Sequence, residues 1–343
     1  MRATWVENTK QFHDHTTSNC YDNVRFTFKK VDIMRTYVAG SRGLAGSAIV
    51  RAATEGHEIY ETSKNDLDLT SSSDVANFLQ QNRIETVIIA AARVGGIFIN
   101  SKSQTKFLLE NLKLQNAIIE GSLISGVKNL VFLGSSCIYP RMAQQPITEE
   151  SILTGALEPT NEGYAIAKIA GVRLCKAIAD EYGLNFFSLM PTNLFGPNDN
   201  FDLLSSHVPA ALMRRFHEAK IQSLPTVGIW GTGKPYREFM HVDDLAAAVW
   251  HFIKIKPRGQ LINIGSGSEL SISDFAHLIS QIVKYEGSIF FDQTKPDGAP
   301  KKLLDSSKAN EMGWSPKIDL IQGLKSTYEW FEKMYRSGEL RGY

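Results

Sequence analysis

The stretch Thr36-Tyr37-Val38-Ala39-Gly40-Ser41-Arg42-Gly43-Leu44-Ala45-Gly46 decides the fold of this chain. It joins an apolar-leaning strand pattern to a helical pattern through glycines at every third position. Gly40 permits a tight turn, Gly43 lets the backbone approach a diphosphate, and Gly46 lets the helix pack against the strand. Because the amino terminus of the helix then faces the phosphates, the stretch predicts a dinucleotide-binding unit. A glycine-rich turn without a ligand is the alternative.

A second pattern, Tyr164-Ala165-Ile166-Ala167-Lys168, opens a long helical segment later in the chain. About one Tyr-x-x-x-Lys is expected by chance in a chain of this length, and Tyr60-Glu61-Thr62-Ser63-Lys64 is such a match. That match lies where a second strand is expected, whereas Tyr164 comes after the strand pattern 131–137, which ends in hydroxyls. The order of glycine turn, strand-end serine and helical Tyr/Lys pair therefore indicates a nicotinamide enzyme.

Ser135, Tyr164 and Lys168 are candidates for proton transfer. Tyr164 and Lys168 share one helix face because they are four residues apart. A nearby ammonium lowers the pKa of a tyrosine, so Tyr164 can exchange the proton that accompanies hydride transfer, and Ser135 can hydrogen-bond the reacting oxygen. In the alternative, Tyr164 packs on a helix face and Lys168 is exposed.

The alternation of short apolar runs with helical stretches predicts an α/β fold, a doubly wound parallel sheet of the Rossmann type with a second, smaller α/β substrate lobe. Ligands bind such sheets at the carboxyl ends of the strands. We expect an N-terminal appendage at 1–33 that could be disordered, a dinucleotide-binding domain at 34–191 and a mainly substrate-binding lobe at 192–343, some of which could return to the first domain. The predicted strands are 36–39, 58–61, 86–92, 129–134, 185–190, 226–230, 260–264 and 288–291, and the predicted helices are 47–56, 72–82, 105–126, 164–182, 206–220, 242–254, 271–285 and 320–336.

The composition of the 343-residue chain excludes several classes of protein. Its net charge is +1, from 37 basic and 36 acidic residues. The chain as a whole therefore has no excess positive charge that would attract nucleic acid or an anionic membrane. No apolar run approaches the roughly 20 residues that span a bilayer. Three cysteines, Cys20, Cys137 and Cys175, argue against a disulfide framework and for a reducing compartment, so we expect a cytoplasmic protein.

The first 33 residues lack the apolar core of a secretory signal. The run 23–29 alternates like a strand and could pair at a sheet edge. His13-Asp14-His15 has too few ligand residues for a structural metal site, so no metal is expected.

The charges near the glycine turn favour NADP (NADPH) over NAD. A carboxylate after the second strand suits a ribose 2′-hydroxyl, whereas a basic residue suits a 2′-phosphate. Arg42 lies in the turn and Lys64-Asn65 lies beyond the second strand, with Glu61 as the acidic competitor. In the alternative, Arg42 and Lys64 are solvated surface charges.

These patterns together resemble the extended short-chain dehydrogenase/reductase superfamily, and within it the chain is similar to enzymes that convert GDP-4-keto-6-deoxymannose. The motifs S-S-C-I-Y-P and S-S-H-V, within the matching stretches F-L-G-S-S-C-I-Y-P and S-S-H-V-P-A-A-L-M-R-R-F-H, are specific to that subgroup. The resemblance runs from residue 36 to about 330. The other matching stretches are A-G-S-R-G-L-A-G, A-A-A-R-V-G-G-I, L-E-P-T-N-E-G-Y-A-I-A-K-I-A-G, M-P-T-N-L-F-G-P-N-D-N-F, W-G-T-G-K-P-Y-R-E-F-M-H-V-D-D and K-P-D-G-A-P-K-K-L-L-D.

The resemblance implies a reaction with two stages: epimerisation at C3 and C5, then reduction of the C4 ketone by NADPH. It assigns Cys137 as the base and His207 as the acid of the first stage, beside Ser135, Tyr164 and Lys168. Without the resemblance, Cys137 would more often be a small buried residue and His207 a helix-start residue. The implied cofactor contacts are Gly40, Ser41, Arg42, Gly43, Leu44, Ala45, Gly46, Lys64, Asn65, Asp68, Leu69, Ala91, Gly134, Ser136, Lys168, Pro191, Thr192, Asn193, Leu194 and His207.

The second lobe carries cations that suit the diphosphate of a GDP-sugar substrate. Arginine makes bidentate phosphate contacts, and a tryptophan can lie beside a base or a sugar. The resemblance supports Arg215, Trp230, Arg237 and Asp297; Lys301 is added as a further cation, with Lys302 as its competitor. Arg214 is expected to be an ordinary solvated charge.

Two alternatives stay open: another nucleotide-sugar epimerase, dehydratase or reductase on the same scaffold, and a non-catalytic NADP-binding regulator. The resemblance also implies a homodimer built on the two long helices 105–126 and 164–182. Candidate positions for its seam, unless they face the sheet, are Leu108, Leu112, Ile119, Ile166, Ala170 and Leu174.

Overall fold

The computed structural model describes residues 33–295 and 297–342. The strand pattern at 23–29, His13-Asp14-His15 and Cys20 lie outside the described residues, as does the predicted appendage apart from Ile33. No helix within the described ranges is long and apolar enough to cross a membrane.

The structure contains the following strands and helices. The strands are β1 Met34–Ala39, β2 His57–Tyr60, β3 Thr86–Ile89, β4 Asn129–Leu133, β5 Asn185–Pro191, β6 Asn193–Phe195, β7 Thr226–Trp230, β8 Tyr236–His241, β9 Leu261–Ile264, β10 Glu269–Ser271, β11 Ser288–Asp292 and β12 Lys301–Lys302. The helices are α1 Leu44–Arg51, α2 Ser72–Gln81, α3 Ile97–Lys102, α4 Gln104–Ser125, α5 Glu162–Tyr182, α6 Val208–Ile221, α7 Val242–Ile255, α8 Ile272–Val283, α9 Ser307–Glu311 and α10 Leu320–Ser337.

Six parallel strands form the central sheet, in the order β2-β1-β3-β4-β5-β9. Every residue of β3 and β4 is buried, as expected for a parallel sheet with helices on both faces. The strand order reverses at β1, so the crevice between the carboxyl ends of β1 and β3 is the switch point where such sheets bind ligands. The predicted doubly wound α/β fold is confirmed.

Alternation along the strands supplies two cores, one on each face of the sheet. Val87, Leu130 and Phe132 pack with α2, α4 and α5 on one face. Ile88 and Val131 pack with α1 and α7 on the other. Each such side chain contributes about 1.5–3 kcal/mol on burial.

Ile119, one of the candidate seam residues, is fully buried in the first of these cores. Of the two alternatives for this position, the dimer seam or the sheet-facing side of the helix, the structure shows the second. Ile166 is 43% exposed, and Leu108, Leu112, Ala170 and Leu174 are partly exposed.

The second lobe is built from short strands around β8 and from β7 paired with β11. Its core lies between α6, α8 and α10, where Phe239 stacks on Phe275 with ring centres 3.8 Å apart. β9 leaves this part of the chain and joins the central sheet beside β5. The division at 191/192 stays a prediction.

Several elements differ from the predictions. α1 begins at Leu44, directly after the glycine turn, because Gly43 is its N-cap, and β3 ends at Ile89. β8 was not predicted, since Arg237, Glu238 and His241 interrupt its apolar pattern. The other unpredicted elements are α3, α9, β6, β10 and β12.

Candidate active site

The glycine turn forms a cradle that side chains would fill. Gly40 has φ +84°, and a Cβ on it would lie 2.6 Å from the Ala91 nitrogen. A Cβ on Gly46 would overlap the Gly40 carbonyl oxygen, which accepts a 3.0 Å hydrogen bond from the Gly43 nitrogen. The Oγ of Ser41 is buried without a hydrogen-bond partner among the described residues. The turn therefore fits a dinucleotide diphosphate, which would supply the missing acceptor.

The cations predicted to select the coenzyme, Arg42 and Lys64, are both exposed. Asp66, which sequence reasoning missed, accepts a 2.7 Å hydrogen bond from the Ser63 nitrogen. Hydrogen bonds from Ser63 lower the pKa of Asp66, and the charge of Arg42 lowers it further. Asp68 accepts hydrogen bonds from the backbone and hydroxyl of Thr70, so its carboxylate shapes the local turn.

Ser135, Tyr164 and Lys168 meet at the carboxyl end of β4. Lys168 is buried, donates a 2.8 Å hydrogen bond to the Leu133 carbonyl and lies 5.9 Å from the centre of the Tyr164 ring. Ser135 accepts a 3.3 Å hydrogen bond from the Cys137 nitrogen.

The predicted lowering of the Tyr164 pKa is wrong for the protein without ligand. Burial raises the pKa of this phenol, the negative charge that Cys137 carries when ionised raises it further, and the hydrogen bond with Ser135 lowers it. Burial also lowers the pKa of Lys168 to about 7. The lysine thus carries only part of its charge near neutral pH, and the tyrosine is held as a neutral phenol, the form that donates a proton.

Helix α4 holds α5, which carries Tyr164, through polar side chains that sequence reasoning missed. Gln104 donates to the Pro159 carbonyl at 2.6 Å and accepts from the Gly163 nitrogen at 2.9 Å. Gln115 donates to the Ala167 carbonyl at 2.6 Å. Both glutamines lie on the side of α4 that faces α5. A search for apolar residues at helical spacing does not find such contacts, because it treats polar residues as exposed.

Cys137 lies in a short 3₁₀ helix, Ser136–Ile138, that begins after Ser135. Its Sγ accepts a 3.2 Å hydrogen bond from Asn161 Nδ2 and lies 3.9 Å from Lys302 Nζ. The cation beside the thiol is Lys302, whereas Lys301 makes an ion pair with Glu269.

His207 is the N-cap of α6, and its position depends on the loop after β3. The Gly96 nitrogen donates a 2.9 Å hydrogen bond to the Ser205 carbonyl, and a Cβ on Gly96 would lie 2.6 Å from the Ser206 oxygen. The His207 ring is open to solvent, yet the surrounding protein lowers its pKa by desolvation. His207 is therefore neutral near pH 7 without ligand.

The second lobe places Arg215 and Trp230 together, with the guanidinium 5.7 Å from the indole centre. Trp230 is 42% exposed and also meets the edge of Phe98. Burial lowers the pKa of Arg237, whose Nη2 is 2.8 Å from the position of a Cβ on Gly298.

Two further charged residues of this lobe have structural contacts. Asp297 accepts hydrogen bonds from the nitrogen and hydroxyl of Thr232. Arg214 pairs with Glu218 at 2.7 Å, donates to the Phe201 carbonyl, and has a side chain only 12% exposed. The expectation that Arg214 is an ordinary solvated charge is therefore wrong.

Comparison with known proteins assigns a family. The family model described as "NAD dependent epimerase/dehydratase family" matches residues 36–265. A GDP-L-fucose synthase of Sinorhizobium fredii is 50% identical over 302 residues, which cover 88% of this chain and 96% of that protein.

Solved structures agree with this family. A GDP-6-OMe-4-keto-L-xylo-heptose reductase from C. jejuni is 34% identical with a TM-score of 0.82, and the match covers 88% of this chain and 98% of that one. A GDP-L-fucose synthetase from Naegleria fowleri bound to NADP is 26% identical with a TM-score of 0.79, covering 89% and 96%. The chain belongs to the NAD dependent epimerase/dehydratase family.

Proposed function

We propose that this chain is an NADPH-dependent enzyme that epimerises GDP-4-keto-6-deoxy-D-mannose at C3 and C5 and then reduces C4, which gives GDP-L-fucose. A reductase alone needs no second acid–base pair. The observation that carries the proposal is therefore the contact of Cys137 with Asn161 and Lys302, two residues beyond Ser135. The names of the relatives that are 50% and 45% identical agree with this substrate.

In the epimerisation stage, the 4-keto group acidifies the protons on C3 and C5. Cys137, in its thiolate form, removes such a proton, and its Sγ has the Asn161 amide at 3.2 Å and the Lys302 ammonium at 3.9 Å. His207 protonates the opposite face of the ring. The diphosphates of the ligands are negative and would raise the pKa of His207, so its acidic form is populated in the loaded site.

In the reduction stage, the bound cofactor supplies a hydride to C4. The Tyr164 phenol donates the proton that the C4 oxygen needs, and Ser135 hydrogen-bonds that oxygen. The raised pKa of Tyr164 keeps the proton on the phenol until the alkoxide forms. Lys168 stabilises the phenolate that remains after the transfer.

Substrate binding is assigned to the second lobe. Arg215 and Arg237 would neutralise the diphosphate, and Trp230 would lie beside the base or the sugar. Asp297 would contact the nucleotide sugar while it holds Thr232. Lys301 stays a candidate contact, although its pairing with Glu269 makes Lys302 the better placed cation.

The cofactor is a nicotinamide dinucleotide, as in the family, and we propose NADP because Arg42 and Lys64 are exposed beside the adenosine end. Asp66 partly offsets that charge. The apolar positions of α4 and α5 that are not fully buried, Leu108, Leu112, Ile166, Ala170 and Leu174, are proposed as the seam of a homodimer, although Leu174 also packs against the core. A cytoplasmic location stays a prediction.

A second candidate is a plain GDP-sugar C4 reductase, because a relative 34% identical in sequence is named a reductase of a GDP-4-keto-heptose. The experiment incubates the purified protein with NADPH and GDP-4-keto-6-deoxymannose and follows both NADPH consumption and the loss of protons at C3 and C5. Consumption together with proton exchange supports the proposal. Consumption without exchange supports the plain reductase.

A further inference from the structure

The segment after α10, residues 338–342, lies against the loop that follows β6. α10 ends at Ser337, and its C-cap is Gly338, which has φ +73°. The Phe201 nitrogen donates a 3.0 Å hydrogen bond to the Arg341 carbonyl, and Arg214 Nη1 donates to the Gly342 carbonyl at 3.1 Å. These main-chain contacts fix the position of Arg341 whatever its side chain is.

The Arg341 side chain extends from this segment to the glycine turn. Its Nη1 lies 3.8 Å from the position of a Cβ on Gly43. The same Nη1 donates a 3.0 Å hydrogen bond to the Asn198 carbonyl, and Asn198 Nδ2 donates at 3.0 Å to the Ser47 hydroxyl of α1. The guanidinium is therefore held beside Gly43, the glycine whose backbone comes close to the diphosphate in dinucleotide-binding turns of this kind.

The surroundings of Arg341 leave its charge available. A guanidinium has five N–H donors, and within residues 33–295 and 297–342 Arg341 uses one side-chain nitrogen, toward Asn198. No carboxylate in the same ranges lies within ion-pair distance of it. The nearby Asp199 is buried, and although Arg341 lowers its pKa, desolvation raises it to about 7.

Arg42, the charged residue within the turn itself, is exposed. The N-cap of α1 is Gly43, which makes no side-chain cap, and the buried Ser41 hydroxyl has no partner. An anion at the amino terminus of α1 would thus meet backbone N–H groups, the Ser41 hydroxyl and the Arg341 guanidinium together.

We propose that Arg341 binds the diphosphate of the nicotinamide dinucleotide, so that the segment after α10 forms part of the cofactor site. The proposal rests on the proposed function only in requiring that a dinucleotide occupies the glycine turn. The competing account is a purely structural one, in which Arg341 only fixes the 198–202 loop.

The test measures binding of NADPH, NADH and adenosine 2′-monophosphate to the full chain and to Arg341→Gln. The variant keeps both main-chain hydrogen bonds of the segment. We expect the two dinucleotides to bind about tenfold more weakly and to the same degree, because both carry the diphosphate and a charged hydrogen bond contributes on this scale. Adenosine 2′-monophosphate lacks the diphosphate and should bind unchanged. Arg341→Lys should recover part of the loss.

Arg336→Gln is the matched control, because Arg336 lies on the same part of the chain and pairs with Glu332 on the helix surface. It should leave all three affinities unchanged. Unchanged NADPH binding in Arg341→Gln would overturn the proposal. Equal weakening of adenosine 2′-monophosphate, with a lower melting temperature before ligand is added, would also overturn it in favour of the structural account. If the wild-type chain binds neither dinucleotide, the proposed function fails and this proposal with it.

Discussion

The Nζ atom of Lys168 lies 5.9 Å from the centre of the Tyr164 ring, and its one hydrogen bond within the described residues goes to the Leu133 carbonyl. Lys168 therefore holds its ammonium in a buried place with little solvation, and burial lowers its pKa to about 7. Burying the Lys168 ammonium lowers the free energy of unfolding of the protein without ligand. In the proposed mechanism, the same ammonium stabilises the Tyr164 phenolate after proton transfer.

Replacement of Lys168 should reveal this loss of stability. The pKa of Lys168 is about 7 in the folded protein and near 10.4 in the unfolded chain. The loss of unfolding free energy caused by burying its ammonium is therefore full below pH 7, shrinks as the pH rises from 7 to 10.4, and is absent above 10.4. Lys168→Met should therefore gain stability relative to wild type by a few kcal/mol more at pH 6 than at pH 10.

Thermal melts at both pH values check this, with Lys176→Met as the control on the exposed face of the same helix. A difference between Lys168→Met and wild type that does not change with pH would show that the ammonium is not destabilised by burial.

Tyr164→Phe removes the proposed proton donor of the reduction stage and keeps the ring. NADPH consumption should fall by about 10²–10⁴-fold, because general acid catalysis contributes on that scale. Exchange of deuterium from solvent into C3 and C5 should continue, since we assign that exchange to Cys137 and His207 and not to the phenol. The measurement is parallel NADPH oxidation and proton NMR.

Tyr182→Phe is the control for this variant, because Tyr182 is 58% exposed at the far end of α5. It should leave both rates unchanged. Loss of exchange together with reduction, in a folded Tyr164→Phe protein, would argue against separate acid–base groups.

Cys137→Ser tests the base of the epimerisation stage. An unperturbed thiol has a pKa near 8.5, and a hydroxyl is some five or more units less acidic, so exchange at C3 and C5 should fall at least about 10²-fold while coenzyme binding survives. Normal exchange in this variant would make Cys137 a packing residue and require another base.

Reaction with thiol reagents is a second test of the role proposed for Cys137. They should modify Cys137, which is partly exposed, and GDP-sugar with NADP should protect it. Cys175 should stay unmodified, because burial raises the pKa of its thiol to about 12. Mass mapping of the modified peptide checks which thiol has reacted; modification of Cys175 first would contradict the structure.

The proposed coenzyme preference rests on Arg42 and Lys64. NADPH should be preferred over NADH at least about tenfold, which is roughly 1.4 kcal/mol. Replacing both side chains with alanine should narrow the gap by weakening NADPH alone, because the 2′-phosphate is the only group that differs. Equal use of the two coenzymes by the wild-type protein would contradict the assignment.

The architecture was accessible from the sequence because its signals are local. The spacing of the glycines at 40, 43 and 46 predicts a strand, a turn and a helix. Short continuous apolar runs such as Leu130–Leu133 predict buried strands. β8 was missed because Glu238 and His241 are polar yet buried. Their partners, such as the Leu304 and Gly267 nitrogens for Glu238, come from distant parts of the chain.

The candidate site was only partly accessible for the same reason. Ser135, Tyr164 and Lys168 carry motifs, but the contacts of Cys137 with Asn161 and Lys302 join three separate segments. The raised pKa of Tyr164 depends on burial, which a motif does not encode. Arg341 lies far along the chain from Gly43, and only the fold brings the two residues together.

The most direct test of the central claim is the stereochemistry of the product. The purified protein is incubated in deuterated water with GDP-4-keto-6-deoxy-D-mannose and NADPH, and the product is examined by NMR. The account predicts GDP-L-fucose, with inverted C3 and C5, deuterium at both positions and one NADPH consumed per product. A reduced sugar that keeps the substrate's configuration and protons at C3 and C5 would contradict it.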